Sequence, residues 1–481
     1  MNTGAHYDVV IIGAGLSGLS AGIRLAHFGR RVCIFERHSA PGGLNSFYSI
    51  AGRKFDVGLH AVTNFVRPGV KGTPLGRVLR QLRLDRDELG LCEQRQSRVV
   101  FGPRGELALR FTNDFGVLES EVARAFPGQA GGFQRLAGRV RATGFSPDTP
   151  ALSARAVVGE YVSDPVLADM LLCVPLFYGS PQENDMDFGQ FAMLFQAVFL
   201  EGLARPFEGI RPILRLLVDK YRKAGGERRM NCGIRNIVAR NGRAAALILD
   251  TGEEVGADHV FSSIGAVETE ALFMGGGHEV SAGPRPVAGR VTFVETMAIF
   301  DREPSQLGWG DDTTVFFNDS ERLEYAVPEG QVDLRSGVIC IPNNFDFGPH
   351  RRLSEGIVRV TCLANHDRWA GLPEERYAAD KRNWYGRIQE SARRFQAGAG
   401  DPGASAEPVA GDMFTPRTVE RFTGHRNGAI YGSPTKNLQG ATALSNLYLC
   451  GTDQGLLGII GSMLSGITMA NRHVLARGAQ A

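Results

Sequence analysis

Three glycines, Gly13, Gly15 and Gly18, follow the apolar run 9–12 at GxGxxG spacing, and the carboxylate of Glu36 stands about 20 residues beyond them. Glycines so spaced permit a tight turn, a close approach of backbone to a pyrophosphate, and close packing of a helix on a strand. A carboxylate at that distance accepts hydrogen bonds from a ribose. The chemistry offered is therefore a grip on a dinucleotide. Groups that make or break bonds are scarce: the sequence holds no Ser-His-Asp arrangement and no metal-ligand cluster, and assigns no metal. His60 and Tyr431, each beside glycine-containing segments, are the two candidates for catalysis. For His60 the competing reading is a histidine that hydrogen-bonds a loop.

Elements must hold these residues in place. Residues 9–12, short and β-branched, predict a buried parallel strand. Residues 16–28 predict a helix whose first amides face the phosphates. Residues 31–35 predict a second strand that ends at Glu36. An ordinary βαβ unit would explain the order of elements but not three glycines and an acid at these places.

The extension Glu36-Arg37-x4-Gly42-Gly43 resembles the flavin amine oxidase superfamily, and its continuation Leu44-Asn45-Ser46-Phe47 resembles the phytoene desaturase, carotenoid isomerase and retinol saturase group. That resemblance implies FAD rather than NAD. It extends to Phe55-Asp56-Val57-Gly58, similar to a segment that passes the flavin ring in this group. It extends to 206–262, where Ile234 would meet the adenine. It extends to 415–475, where Asp453 would bind near the ribityl or phosphate, and Ile460 and Gly461 would start a helix aimed at the flavin pyrimidine. The implied cofactor set is Gly13, Gly15, Gly18, Glu36, Arg37, Gly42, Gly43, Gly58, Ile234, Asp453, Ile460 and Gly461. A helix N-terminus suits the negative charge of a reduced flavin. The sequence lacks the Gly-Gly-Arg of many amine oxidases.

Phe188, Phe191, Phe195 and Phe199 recur at helical spacing. They predict either a core helix or a wall for a long hydrocarbon, including a surface that dips into a membrane. Further along, Asn241-Gly242 predicts a hairpin turn. Segments 291–300, 313–317, 338–341 and 357–363 predict strands of one sheet. Asp114 and Ser153 predict helix caps among three or four helices in 114–201. Residues 397–408 read as a loop.

The 481 residues carry a net charge of +2, which offers no argument for nucleic acid. Seven scattered cysteines without a CxxC fit a reducing compartment. No signal peptide or spanning helix is expected, so the location expected is cytoplasmic, with peripheral contact on the inner face of the membrane as a hypothesis. Nothing in the sequence sets an oligomeric state.

The expected architecture is α/β: a discontinuous Rossmann-type FAD-binding domain (1–75, 205–267 and 415–481) with an inserted mixed α+β substrate domain (76–204 and 268–414). What the resemblance implies is an FAD-dependent oxidoreductase acting on a long apolar isoprenoid polyene by hydride exchange at flavin N5. Desaturation, isomerisation and saturation differ in the flavin's redox state and the electron acceptor. The alternatives are a flavin-dependent amine oxidase and a non-catalytic protein that binds FAD and a lipid.

Overall fold

The structure is a computed structural model and describes residues 5–144, 151–274, 285–396 and 407–476. The β-branched run lies in the strand His6–Ile12, with Val9, Val10 and Ile11 wholly buried. It pairs in parallel with Val32–Phe35 on one side and Glu254–Ser262 on the other. Glu227–Arg229 and Leu447–Leu449 extend the parallel sheet at its two ends. Both faces are covered, as a parallel sheet of apolar strands requires. The helices Leu16–Ala26 and Gly458–Ala470 bury Leu19, Ile23, Ile459 and Met463 against one face. The helix Pro74–Leu82 adds Leu75, Val78 and Leu82 to the same core.

The hairpin Ile234–Arg240 and Arg243–Leu249 attaches to the sheet through Glu254–Ser262. Its turn residues Asn241 and Gly242 both have positive φ, 51° and 67°, the conformation a two-residue type I′ turn demands. Glu254–Ser262 is one continuous strand. Asp258 does not interrupt it because its carboxylate reaches out to His6 Nε2 at 3.0 Å.

The second sheet has the order Ala410–Phe414, Thr292–Phe300, Gly356–Ala364, Val332–Cys340, Asp312–Asn318, Gln96–Phe101, Leu107–Phe111. It contains all four strands expected for it. Val332–Cys340 starts earlier than its apolar run suggests, since Asp333, Arg335 and Ser336 disguise its first half and a register shift falls there. Helices between Phe115 and Phe195 cover one face, and the helix Glu374–Ala392 covers the other with Trp384 and Ile388. The caps are as expected: Asp114 Oδ1 accepts from Gly116 N at 3.0 Å, and Ser153 Oγ accepts from Ala156 N at 2.9 Å. Most of the loop expected at 397–408 lies outside the described residues.

The phenylalanine-rich segment is the helix Phe188–Phe195 continued by a π-helical stretch, Gln196–Glu201. Phe188, Phe191, Phe195 and Phe199 are 2%, 0%, 0% and 1% exposed. Their rings follow one another at 5.8, 5.7 and 4.8 Å and pack on Phe111, Phe115 and Phe133. They are core, and the expectation of a surface that dips into a membrane is corrected: such a surface needs exposed rings, and these are sealed.

Candidate active site

The crevice begins where the first strand ends. Gly13, at φ 96°, donates its N–H to Phe35 O at 2.8 Å and turns the chain into the helix Leu16–Ala26. A Cβ on Gly18 would stand 2.2 Å from Gly13 O, so this glycine is needed for close packing. A Cβ on Gly15 would meet nothing within 4 Å, so this glycine faces open space. Gly15 caps the helix with no side-chain hydrogen bond, and the first turn carries no acid. Free amides beside open space fit a diphosphate.

The second glycine pair closes on the first. Gly42 N donates to Ala14 O at 2.9 Å, Gly15 and Gly42 bridge in parallel, and Gly43 faces the Cα of Gly15. Glu36 stands beside them. Its Oε2 accepts from Ala14 N and its Oε1 from His38 N, both at 2.8 Å, which fixes the carboxylate with lone pairs to spare. Cys232 N donates to Glu36 O at 2.8 Å and so draws Ile234, buried at the start of its strand, to the same end of the crevice. The Arg37 guanidinium lies against Gly424, which ties this end to the helix Pro416–Thr423.

At the opposite end, Gly58 has φ 64°, and a Cβ there would stand 2.2 Å from Leu44 O. Val57 N donates to Ser46 O at 2.9 Å, so the chain passes directly under the glycine pair towards His60. Gly458, Ile460 and Gly461 form the start of the helix Gly458–Ala470, again without a side-chain cap or an acid in the first turn. A Cβ on Gly458 would lie 3.1 Å from Thr63 Oγ1, which places this helix start beside the His60 segment.

Asp453 is enclosed. Its Oδ2 accepts from Ala266 N at 2.6 Å and its Oδ1 from Ser433 N at 2.7 Å, so it joins three segments of chain. Lys436 Nζ sits 3.7 Å from Oδ1 and also donates to Tyr431 O. Burial pushes the Lys436 ammonium down to about 8, against the pull of Asp453.

The polar wall of the site comes from the second sheet. His60 Nε2 lies 3.3 Å from Glu295 Oε1 and 3.0 Å from Thr361 Oγ1. Arg359 Nε donates to Glu295 Oε1 at 2.5 Å, and its other nitrogens donate to Leu59 O and Asp56 O. Arg205 pairs with Asp56 and donates to Leu59 O at 2.7 Å and His60 O at 3.3 Å. Two buried ion pairs thus clamp residues 56–60. Burial pushes the Glu295 carboxyl up, but Arg359 and then His60 outweigh it and hold the group at about 2, so it is ionised at neutral pH. His60 Nε2 is thus held between the Glu295 carboxylate and the Thr361 hydroxyl. Tyr431 is one step away: its ring meets Phe293 edge-on at 5.8 Å, and Phe293 shares a strand face with Glu295. Its hydroxyl donates to Phe177 O, and burial pushes its pKa well up, so its proton is held in a structural bond.

Asp56 was legible as part of a motif; Arg205, Glu295, Arg359 and Thr361 were not identified from the sequence. The signal available was a lone charge in an otherwise apolar strand, as in Thr292–Phe300 and Gly356–Ala364, because a buried charge requires a partner. Among the described residues no group of His, Cys, Asp or Glu is arranged to hold a metal ion, and no helix is long and apolar enough to cross a membrane. All seven cysteines are buried and unbridged.

Comparisons with known proteins agree with this geometry. Residues 11–81 match the model of an NAD(P)-binding Rossmann-like domain. The chain is 22% identical to prolycopene isomerase, chloroplastic, of Arabidopsis thaliana, over 97% of this chain and 82% of that protein. It is 28% identical to phytoene desaturase (neurosporene-forming) of Rhodobacter capsulatus, over 56% of this chain and 54% of that protein. Its fold is that of an oxidoreductase from Methanosarcina mazei, with a TM-score of 0.64 at 17% identity, covering 96% of this chain and all of the other.

Proposed function

We propose that this chain, an oxidoreductase related to the phytoene desaturases and prolycopene isomerases, holds FAD in the glycine-lined crevice and acts on a long apolar polyene. Bound there, FAD supplies two-electron hydride exchange with an allylic carbon. In this reading residues 1–75, 205–267 and 415–481 hold the cofactor, and 76–204 and 268–414 hold the substrate. The observation that carries the reading is the meeting of three surfaces: the crevice end at Gly58 and Gly458, the clamped His60, and the aromatic face of Phe177, Phe293 and Tyr431.

Each protein group has a part in it. The Gly15 and Gly43 backbone and the free helix amides receive the diphosphate, and Glu36 receives the ribose. The clamp on 56–60 fixes the His60 ring beside the crevice end. The aromatic face excludes water and demands no polar partner from a hydrocarbon chain. An insoluble substrate also favours contact of the protein with a membrane surface.

The test is the mass of the product. Flavin-loaded protein is mixed without oxygen with liposomes that carry the polyene, once with oxidised and once with reduced flavin. A product two hydrogens lighter with oxidised flavin assigns desaturation. With reduced flavin, an unchanged mass with altered geometry assigns isomerisation, and two added hydrogens assign saturation. Unaltered polyene in both arms would refute the reading.

A further inference from the structure

The chain beyond His60 is held by an irregular partner. Residues 62–65 lie against 197–204: Val62 N donates to Ala204 O at 2.7 Å, Asn64 N to Ala197 O at 2.9 Å, and Phe65 N to Gly202 O at 3.1 Å. Asn64 has φ 63°, a left-handed conformation that asparagine tolerates better than most residues. Its partner, Gln196–Glu201, is π-helical, a distortion that recurs at functional sites. The two irregularities meet at one contact, where Asn64 Nδ2 donates to Glu201 Oε2 at 2.8 Å. Thr63 Oγ1 in turn donates to Asn64 Oδ1 at 3.2 Å. Thr63 and Asn64 are buried. Burial pushes the Glu201 carboxyl up, against the hydrogen bond from Asn64 and the charge of Arg77 on the helix Pro74–Leu82.

These bonds run in one direction. A carboxylate only accepts, so Asn64 must turn its amide NH2 to Glu201 and its oxygen to Thr63. The Thr63 hydroxyl commits its one proton to that oxygen, and its lone pairs remain as acceptors. They stand at the crevice end: a Cβ on Gly458 would lie 3.1 Å from Thr63 Oγ1 and meet nothing else within 4 Å. Here the helix Gly458–Ala470 begins without a side-chain cap, so its first amides remain donors. Donors and an acceptor therefore lie side by side next to open space. The pyrimidine edge of a flavin is their complement, two carbonyl oxygens with an N–H between them.

We propose that Thr63 Oγ1 accepts the N3–H of the flavin, and that Glu201 is a positioning residue that fixes this polarity through Asn64. The inference deepens the FAD reading and rests on it. An ionised Glu201 forces the bonds to run from Thr63 to the carboxylate. A protonated Glu201 donates as well as accepts, so the direction is no longer imposed. The grip on N3–H is therefore strongest at a pH above the range in which Glu201 takes up its proton, and weaker below it.

The test strips the full-length protein of flavin and titrates it with FAD and with 3-methyl-FAD, with binding read from flavin fluorescence. At pH 8 the parent is expected to bind the methylated flavin about tenfold more weakly, the effect of one lost buried hydrogen bond. At pH 5 that preference is expected to narrow by about threefold. Thr63→Ala, which removes the acceptor and leaves room for the methyl, is expected to bind the two flavins within about twofold of each other, and Thr63→Ser to restore the preference. Glu201→Gln, whose amide both donates and accepts, is expected to show at pH 8 the narrowed preference of the parent at pH 5, with no further change between the two. Equal binding of both flavins by the parent, a preference that survives Thr63→Ala, or a Glu201→Gln protein that behaves as the parent at both pH values would overturn the inference and leave the FAD reading standing. A parent that binds neither flavin would overturn the FAD reading itself.

Discussion

Gly15→Ala is expected to leave the fold intact and strip the protein of its flavin, whereas Gly18→Ala is expected to damage the fold itself. The two glycines belong to one motif, but their surroundings differ. At Gly15 a Cβ enters open space at an ordinary φ of −69°, so the apo protein loses nothing. The methyl then occupies the room a diphosphate needs against the helix amides, an overpacking worth about 2–3 kcal/mol or roughly a hundredfold in affinity. At Gly18 a Cβ would meet Gly13 O at 2.2 Å, and both partners are backbone. Neither can move without breaking the turn. Flavin content per protein and the melting temperature of the apo form separate the two effects. A Gly15→Ala protein that keeps full flavin occupancy would refute the assignment of the crevice.

The second large effect lies in the clamp. Arg359→Met is expected to destabilise the protein by about 3–5 kcal/mol, the usual cost of stranding one member of a buried ion pair. Glu295 would lose its main counter-charge, and the carbonyls of Leu59 and Asp56 would lose donors. The pH dependence carries the same signature. In the parent the Glu295 carboxyl sits at about 2 against an ordinary 4.5, because Arg359 and His60 outweigh its burial. A depressed acid contributes stability that is complete above 4.5 and is lost as the pH falls towards 2. Without Arg359, burial prevails and the carboxyl rises, so acid should then relieve the variant rather than weaken it at this site. Melting curves at pH 7 and pH 4 check this. The double variant Arg359→Met with Glu295→Gln should recover part of the loss, since no charge is left alone. A single variant as stable as the parent would show that the clamp carries no weight.

The parallel sheet and its glycine-lined end were legible because backbone sets their geometry. A β-branched run, glycines at set intervals and an acid at the end of the next strand each specify a local geometry, and the fold follows. Asn241-Gly242 was legible for the same reason: only a turn with two positive φ values calls for that pair. The polar wall was hidden because no local pattern joins its members. Glu295 pairs with Thr361, and Met297 with Arg359, only through strand register. Residues 56, 60, 205, 295, 359 and 361 meet only where the second sheet packs on segments 53–60 and 204–206. The phenylalanine series was legible only as a choice, of which the core helix is the one observed. Helical spacing states that rings share a face; whether that face meets solvent, substrate or core depends on what lies opposite, and here Phe111, Phe115 and Phe133 do.

The most direct measurement is the anaerobic absorption spectrum of the flavin-loaded protein on addition of polyene-bearing liposomes, with a primary amine added in a parallel sample. The expected result is a change in the flavin bands on adding polyene to the oxidised or the reduced protein, with the amine inert. Bleaching by the amine, with the polyene inert in both redox states, would contradict the polyene assignment and favour amine oxidation in the same crevice.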